Sequence, residues 1–174
     1  MTDALDSEEF NREKFKQFLH YIIHQCGNLE NVGKTVLFKL SYFSDFDYYE
    51  LYEKKISSES YRKLPRGPAP CHFDEVMKEL EEEGKIIPLA TQYGKYDQQK
   101  FLSQKTPDGS LLNGNEIQVI DDVISKYSHM NATRISEFSH RDIPYKATED
   151  NDIIDYELVF YRDALFSVRE YEDD

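Results

Sequence analysis

Residues 36–70, VLFKLSYFSDFDYYELYEKKISSESYRKLPRGPAP, constrain the fold more than any other stretch of the chain. Val36, Leu37, Leu40, Phe43, Asp47, Tyr48 and Leu51 recur at steps of three and four, the period of one helix face. Asp47 is the single polar interruption of that face. Ser57 and Ser58 are expected to break the helix, and Tyr61 and Leu64 to lie on a short extended segment. Gly67-Pro68-Ala69-Pro70 is expected to turn the chain, because two prolines fix φ and remove backbone donors.

On either side the pattern stays mostly helical. Asp6 and Glu9 read as a capping pair that opens a first helix carrying Phe15, Phe18, Leu19, Ile22, Ile23 and Cys26 on one stripe. Gly27-Asn28 ends it, and Asn31-Val32-Gly33 leads into the central helix. Residues 72–83 place Phe73, Val76, Met77 and Leu80 inward and a row of acids outward, closed by Gly84. Residues 85–91 and 99–103 read as the strands of a hairpin, followed by a turn at Thr106-Pro107-Asp108-Gly109. Asn113 with Glu116 repeats the capping pattern ahead of Ile117, Ile120, Val123, Ile124 and Tyr127, and a shorter helix over 131–139 turns Ile135 and Phe138 inward. Residues 156–168 fit strand or helix equally. From Glu149 onward ten acids face two arginines, and Leu158, Val159, Leu165 and Phe166 are expected to hold part of this tail on the core.

The expected fold is mainly α within the α+β class: one helical domain over 1–174, with a core at about 8–168 and a small antiparallel hairpin. A chain of 174 residues suffices for one domain, burying roughly two thirds of the surface its unfolded form exposes. The composition is 39% hydrophobic and 32% charged, with no tryptophan, so tyrosine and phenylalanine supply all the aromatic bulk. A formal charge of −13 disfavours nonspecific binding to nucleic acid, which depends on cations releasing counterions from phosphates, and suits a basic protein partner. Cys26 and Cys71 are too few for a disulfide framework and read as reduced thiols. The acidic N-terminus lacks the order of a signal peptide, and no run approaches the length of a membrane span, so the protein reads as cytoplasmic.

Several constellations invite chemistry. Gly33-Lys34-Thr35 lacks the earlier glycine of a phosphate loop and reads as a helix start. His20 and His24 have the spacing of a metal pair but project away from the apolar stripe at ~100° per residue, so they read as solvated and no metal is expected. Ser139-His140-Arg141-Asp142 holds a nucleophile, a base and an acid, but adjacent helical residues do not face one another. It reads instead as a helix C-terminus, where His140 and Arg141 meet the last carbonyls. Lys54, Lys55, Arg62, Lys63 and Arg66 against Glu59 form a basic island flanked by Tyr48, Tyr49 and Tyr52. It fits an anchor for a carboxylate, a phosphate or an acidic partner, and equally a solvated rim offsetting the tail.

The run from Lys39 to Pro70 resembles the signature of the SocA-like antitoxin domain, also called Panacea, which includes phage-associated GepA-like proteins. The matching positions are Lys39, Leu40, Tyr42, Asp45, Asp47, Tyr48, Tyr61, Gly67, Pro68 and Pro70. ISEFSHRDIPYKAT resembles the family's Ser-His element through Ser139 and His140, with Tyr145 where the family usually has tryptophan. The resemblance implies an antitoxin that neutralises a toxin by direct protein contact, possible delivery to a protease included, with no cofactor and no catalysis. The expected partner-binding residues are Tyr48, Tyr49, Tyr52, Tyr61, Arg62, Arg66, His140 and Tyr145, with Tyr48, Tyr61, His140 and Tyr145 nearest the family's central pocket. The alternatives are a winged-helix-like DNA-binding regulator, with the hairpin as wing, and a hydrolase using His140.

Overall fold

A computed structural model describes residues 9–172. Helix α1, Arg12–Cys26, begins at Asn11, whose side chain accepts from the Lys14 amide at 3.0 Å. Asn11 therefore caps the helix in place of the Asp6–Glu9 pair, of which Asp6 lies outside the described residues. Phe15, Phe18, Leu19, Ile22, Ile23 and Cys26 are all buried, as the stripe requires.

Helix α2, Lys34–Tyr52, is the axle of the fold, with Val36, Leu37, Leu40, Phe43 and Phe46 buried along it. Its polar residues are enclosed too: Ser41, Ser44, Asp45, Asp47 and Glu50 are all at most 3% exposed, so the helix is surrounded rather than half-buried. Ser44 and Ser41 meet this by donating to the Leu40 and Phe38 carbonyls of their own helix. The helix stops at Tyr52, ahead of Ser57, because Glu53 takes a left-handed conformation at φ 56°.

Strand β1, Tyr61–Leu64, pairs antiparallel with β2, Gly67–Pro70. The Gly-Pro segment is thus a strand, and the turn falls at Pro65-Arg66. Its prolines are tolerated because Pro68 and Pro70 stand opposite Lys63 and Tyr61, which turn their backbone groups the other way. Lys63 donates to Asp152 O at 2.9 Å and accepts from Asn151 N at 2.9 Å, and Tyr61 O accepts from Ile154 N at 2.8 Å.

Helix α3, Phe73–Glu82, buries Phe73, Val76, Met77 and Leu80. Its acids are largely matched by cations of the first two helices: Arg12 reaches Glu75 and Glu79, Lys16 reaches Glu79 and Lys34 reaches Asp74. The expected hairpin is longer than its sequence signal, β3 Ile86–Tyr93 pairing along its length with β4 Tyr96–Ser103 around Gly94. Helix α4, Gly114–Tyr127, carries the capping box of Asn113 and Glu116. Helix α5, Ala132–His140, starts at Asn131, and α6 is the single turn Ile143–Lys146. The ambiguous tail resolves into a 3-10 helix, Tyr156–Tyr161, with Tyr156 stacked on Phe46 at 4.2 Å and Val159 in the core.

One expectation for α1 is corrected. His20 is 2% exposed rather than solvated, because the β3–β4 hairpin covers a second face of the helix. Its Nε2 and His24 Nδ1 each lie 3.0 Å from Ser103 Oγ, which spends its own proton on Lys105 O at 2.8 Å, so both rings donate to the serine. Burial, with Lys85 and His24 adding, lowers the His20 pKa and keeps that ring neutral. Cys26 is buried and Cys71 exposed, neither bridged. Among the described residues no helix is long and apolar enough to cross a membrane.

Candidate functional site

A cleft of about 660 Å³ opens between the N-terminus of α2, the β1–β2 turn, α5 and the tip of the β3–β4 hairpin. Lys34, Thr35, Arg66, Tyr93, Tyr96 and His140 are among its walls. Gly33 leaves the α2 N-terminus without a side-chain cap, and a Cβ there would stand 2.6 Å from Gln98 Cγ of the overlying hairpin. The Gly-Lys-Thr triplet is thus a helix start, but one that faces a cavity. His140 occupies the last turn of α5 with its ring stacked on Tyr145 at 5.0 Å, and its buried Nε2 has no hydrogen-bond partner.

The expected contact residues separate into two groups. Tyr48, Tyr49 and Tyr52 lie at the C-terminal end of α2, about 27 Å from its start at 1.5 Å per residue. There Tyr48 is buried beneath Tyr52, ring centroids 4.9 Å apart, and Tyr49 donates its hydroxyl to Glu157. Arg66, His140 and Tyr145 gather instead at the β1–β2 turn: Tyr145 is buried, and its hydroxyl donates to Leu64 O at 2.5 Å. Arg62 donates to Asn151 O at 2.5 Å and Lys63 to Thr148 O at 2.9 Å, so part of the basic island binds its own chain. Tyr61 belongs to neither group. It is fully enclosed, donates to Asp45 and presents nothing to an outside partner.

A second centre, outside the expected site residues, lies around Arg162. Its guanidinium is enclosed and grips Asp142 in two-pronged fashion, Nε to Oδ1 at 3.0 Å and a terminal nitrogen to Oδ2 at 2.8 Å. The other terminal nitrogen donates to Asp47 at 2.8 Å and Glu50 at 3.1 Å, while Tyr42 donates to Asp142 at 2.8 Å. Burial pushes Asp47 up to about 6 although Arg162 pulls the other way. Burial would also raise Glu50, but Ser167, Tyr171 and the Val168 amide donate to it, and its pKa is lowered on balance. A lone arginine between Val159 and Phe166 in an acidic tail was the one available clue.

This arrangement bears on the hydrolase alternative. Asp142, the acid nearest His140 in sequence, is committed to Arg162 and Tyr42. Among the described residues no group of three or more His, Cys, Asp or Glu is placed to hold a metal ion.

The model of the SocA-like antitoxin Panacea domain matches residues 37–145, which is well over half of the chain and spans α2 to α6. The chain belongs to the SocA-like antitoxin family. The Panacea match takes in both the Asp47 helix and the Ser139-His140 element, and it stops short of Arg162. Searches of curated proteins and of solved structures return no match.

Proposed function

We propose that this Panacea protein is the antitoxin of a toxin-antitoxin pair and neutralises a cognate protein toxin by direct contact, without chemistry of its own. The observation that carries the reading is the family match over residues 37–145. The surface supports it. Ile87, Leu89 and Tyr93 alternate along β3 and so share a face, Tyr96 stands opposite Tyr93, and all four are exposed at 37% or more. Exposed apolar residues gathered on one hairpin are the usual mark of a protein contact. Arg66 and His140 line the same cleft as Tyr93 and Tyr96.

In this reading the toxin packs on the hairpin face, and Arg62, Arg66 and His140 supply polar contacts at its edge. Tyr61 and Tyr145 act from behind by holding β1 and α6 in place. Tyr52, backed by the buried Tyr48 and flanked by Tyr49, marks a separate second surface, suited to a further protein such as a protease to which the toxin is delivered. A phage-associated gene pair and a cytoplasmic site of action belong to the same proposal.

The test is co-expression with the product of the neighbouring gene. Growth arrest by the neighbour should be relieved by this chain, the two should co-purify, and Tyr96→Glu with Leu89→Glu should abolish both effects while the variant stays folded. Unrelieved arrest with no co-purification would reject the proposal.

A further inference from the structure

Among the described residues three lysines are buried, and two of them are satisfied. Lys16 pairs with Glu13, Glu79 and Glu83, and Lys100 donates to Leu29 O at 2.5 Å and Val32 O at 2.8 Å. Lys39 is the most buried of the three, at 1% exposure, and among the described residues its ammonium meets no carboxylate, only the face of the Phe38 ring, 5.5 Å from Nζ. A buried ammonium without a counter-charge is costly, and a fold that retains one leaves a place for an anion.

The surroundings say where. Lys39 lies behind the cleft wall, enclosed, one turn along α2 from Thr35 and Val36, which line it. Its side chain ends behind Gly67, where a Cβ would stand 2.6 Å from Lys39 Cε, 3.2 Å from its Nζ and 2.6 Å from Ser139 Oγ. The residues flanking those two, Arg66 and His140, both line the cleft. Arg66 is exposed there, and His140 brings a buried ring nitrogen without a partner. The uncapped N-terminus of α2 adds free amides and the positive end of a 19-residue helix. Asp97 and Glu137 also line the cleft, both exposed to solvent.

We propose that this cleft binds a phosphate monoester carried on a flat ring, with the phosphate taken by Arg66, His140 and the amides of the α2 N-terminus over the positive charge of Lys39 behind them, and the ring laid against Tyr93 and Tyr96 of the hairpin tip. A two-charge phosphate suits a lysine, an arginine and a helix N-terminus together better than a single carboxylate does. The volume is that of an ordinary small-molecule pocket. The inference goes beyond toxin neutralisation and is measured on the antitoxin alone, so either can fail without the other.

The experiment is calorimetric titration of the whole chain with adenosine monophosphate, inorganic phosphate, adenosine and succinate. Adenosine monophosphate should bind with Kd of about 1 mM or tighter, inorganic phosphate more weakly, and adenosine and succinate more weakly still. Arg66→Ala changes an exposed side chain and Lys39→Met removes an unpaired charge, so both variants should fold; each should weaken binding by about tenfold or more. Tyr96→Ala should weaken the nucleotide and leave inorganic phosphate unchanged. Failure of both phosphate probes to bind overturns the proposal, as does binding that survives unchanged in both the Arg66 and Lys39 variants. Succinate binding as tightly as the nucleotide overturns the phosphate assignment.

Discussion

At Lys39 the cost of an unpaired buried charge becomes a dependence on pH. Burial, with Arg66 adding, lowers its pKa from 10.5 to about 7, whereas in the unfolded chain the ammonium keeps its proton up to the higher value. Across that window the unfolded state binds more protons than the folded one, so the Lys39 contribution makes stability rise with pH from about 7 to 10.5. Urea denaturation at stepped pH should show this slope, and Lys39→Met should flatten it while raising stability at neutral pH. Single residues were also where the sequence was least legible. Asp47 stood out as a polar break in an apolar face, but nothing near it in sequence announced Arg162, 115 positions away, as its partner. His20 was misplaced because helical periodicity locates one buried face and is silent about a second neighbour. Tyr61 and Tyr145 carry the residue types of an interface, but they use their hydroxyls internally.

Whole elements were easier to read where a single apolar face does the folding. Helices α1, α3 and α4 follow their stripes, and the Asn113–Glu116 box survives intact because its geometry is local. The β1–β2 hairpin was hidden because prolines signal turns, and only the 151–154 segment, lying along the far side of β1, explains how two of them fit a strand. Gly67 opens that strand at φ +117°, a conformation that side chains rarely adopt, with Lys39 Cε and Ser139 Oγ in the space a Cβ would need. Gly67→Ala is expected to cost roughly 1–3 kcal/mol from backbone strain and crowding. A lower urea midpoint with an unchanged slope would register it, and the conservative control Ala69→Gly should lose less.

At the scale of the molecule, the tail is a clamp rather than an appendage. Arg162 carries it back to the C-terminal part of α2 and to Asp142 ahead of α6, and beyond it Glu50 collects Ser167, Val168 and Tyr171. Arg162→Met would leave Asp47, Glu50 and Asp142 facing one another without a cation and should cost about 3–5 kcal/mol. The same variant should also be cleaved faster within residues 163–172 under limited proteolysis than the wild-type protein. The sequence showed the tail's charge and its apolar anchors but not its path, since a surplus of acids gives no hint of where one arginine goes. The family-matched stretch ends at 145, so it holds the three acids of the clamp and not the arginine that joins them. During synthesis, three acids destined for the interior leave the ribosome well before the one base that neutralises them. Closure of the interior must wait for that last arrival, so the unfinished chain is expected to be more open to proteases than the finished one.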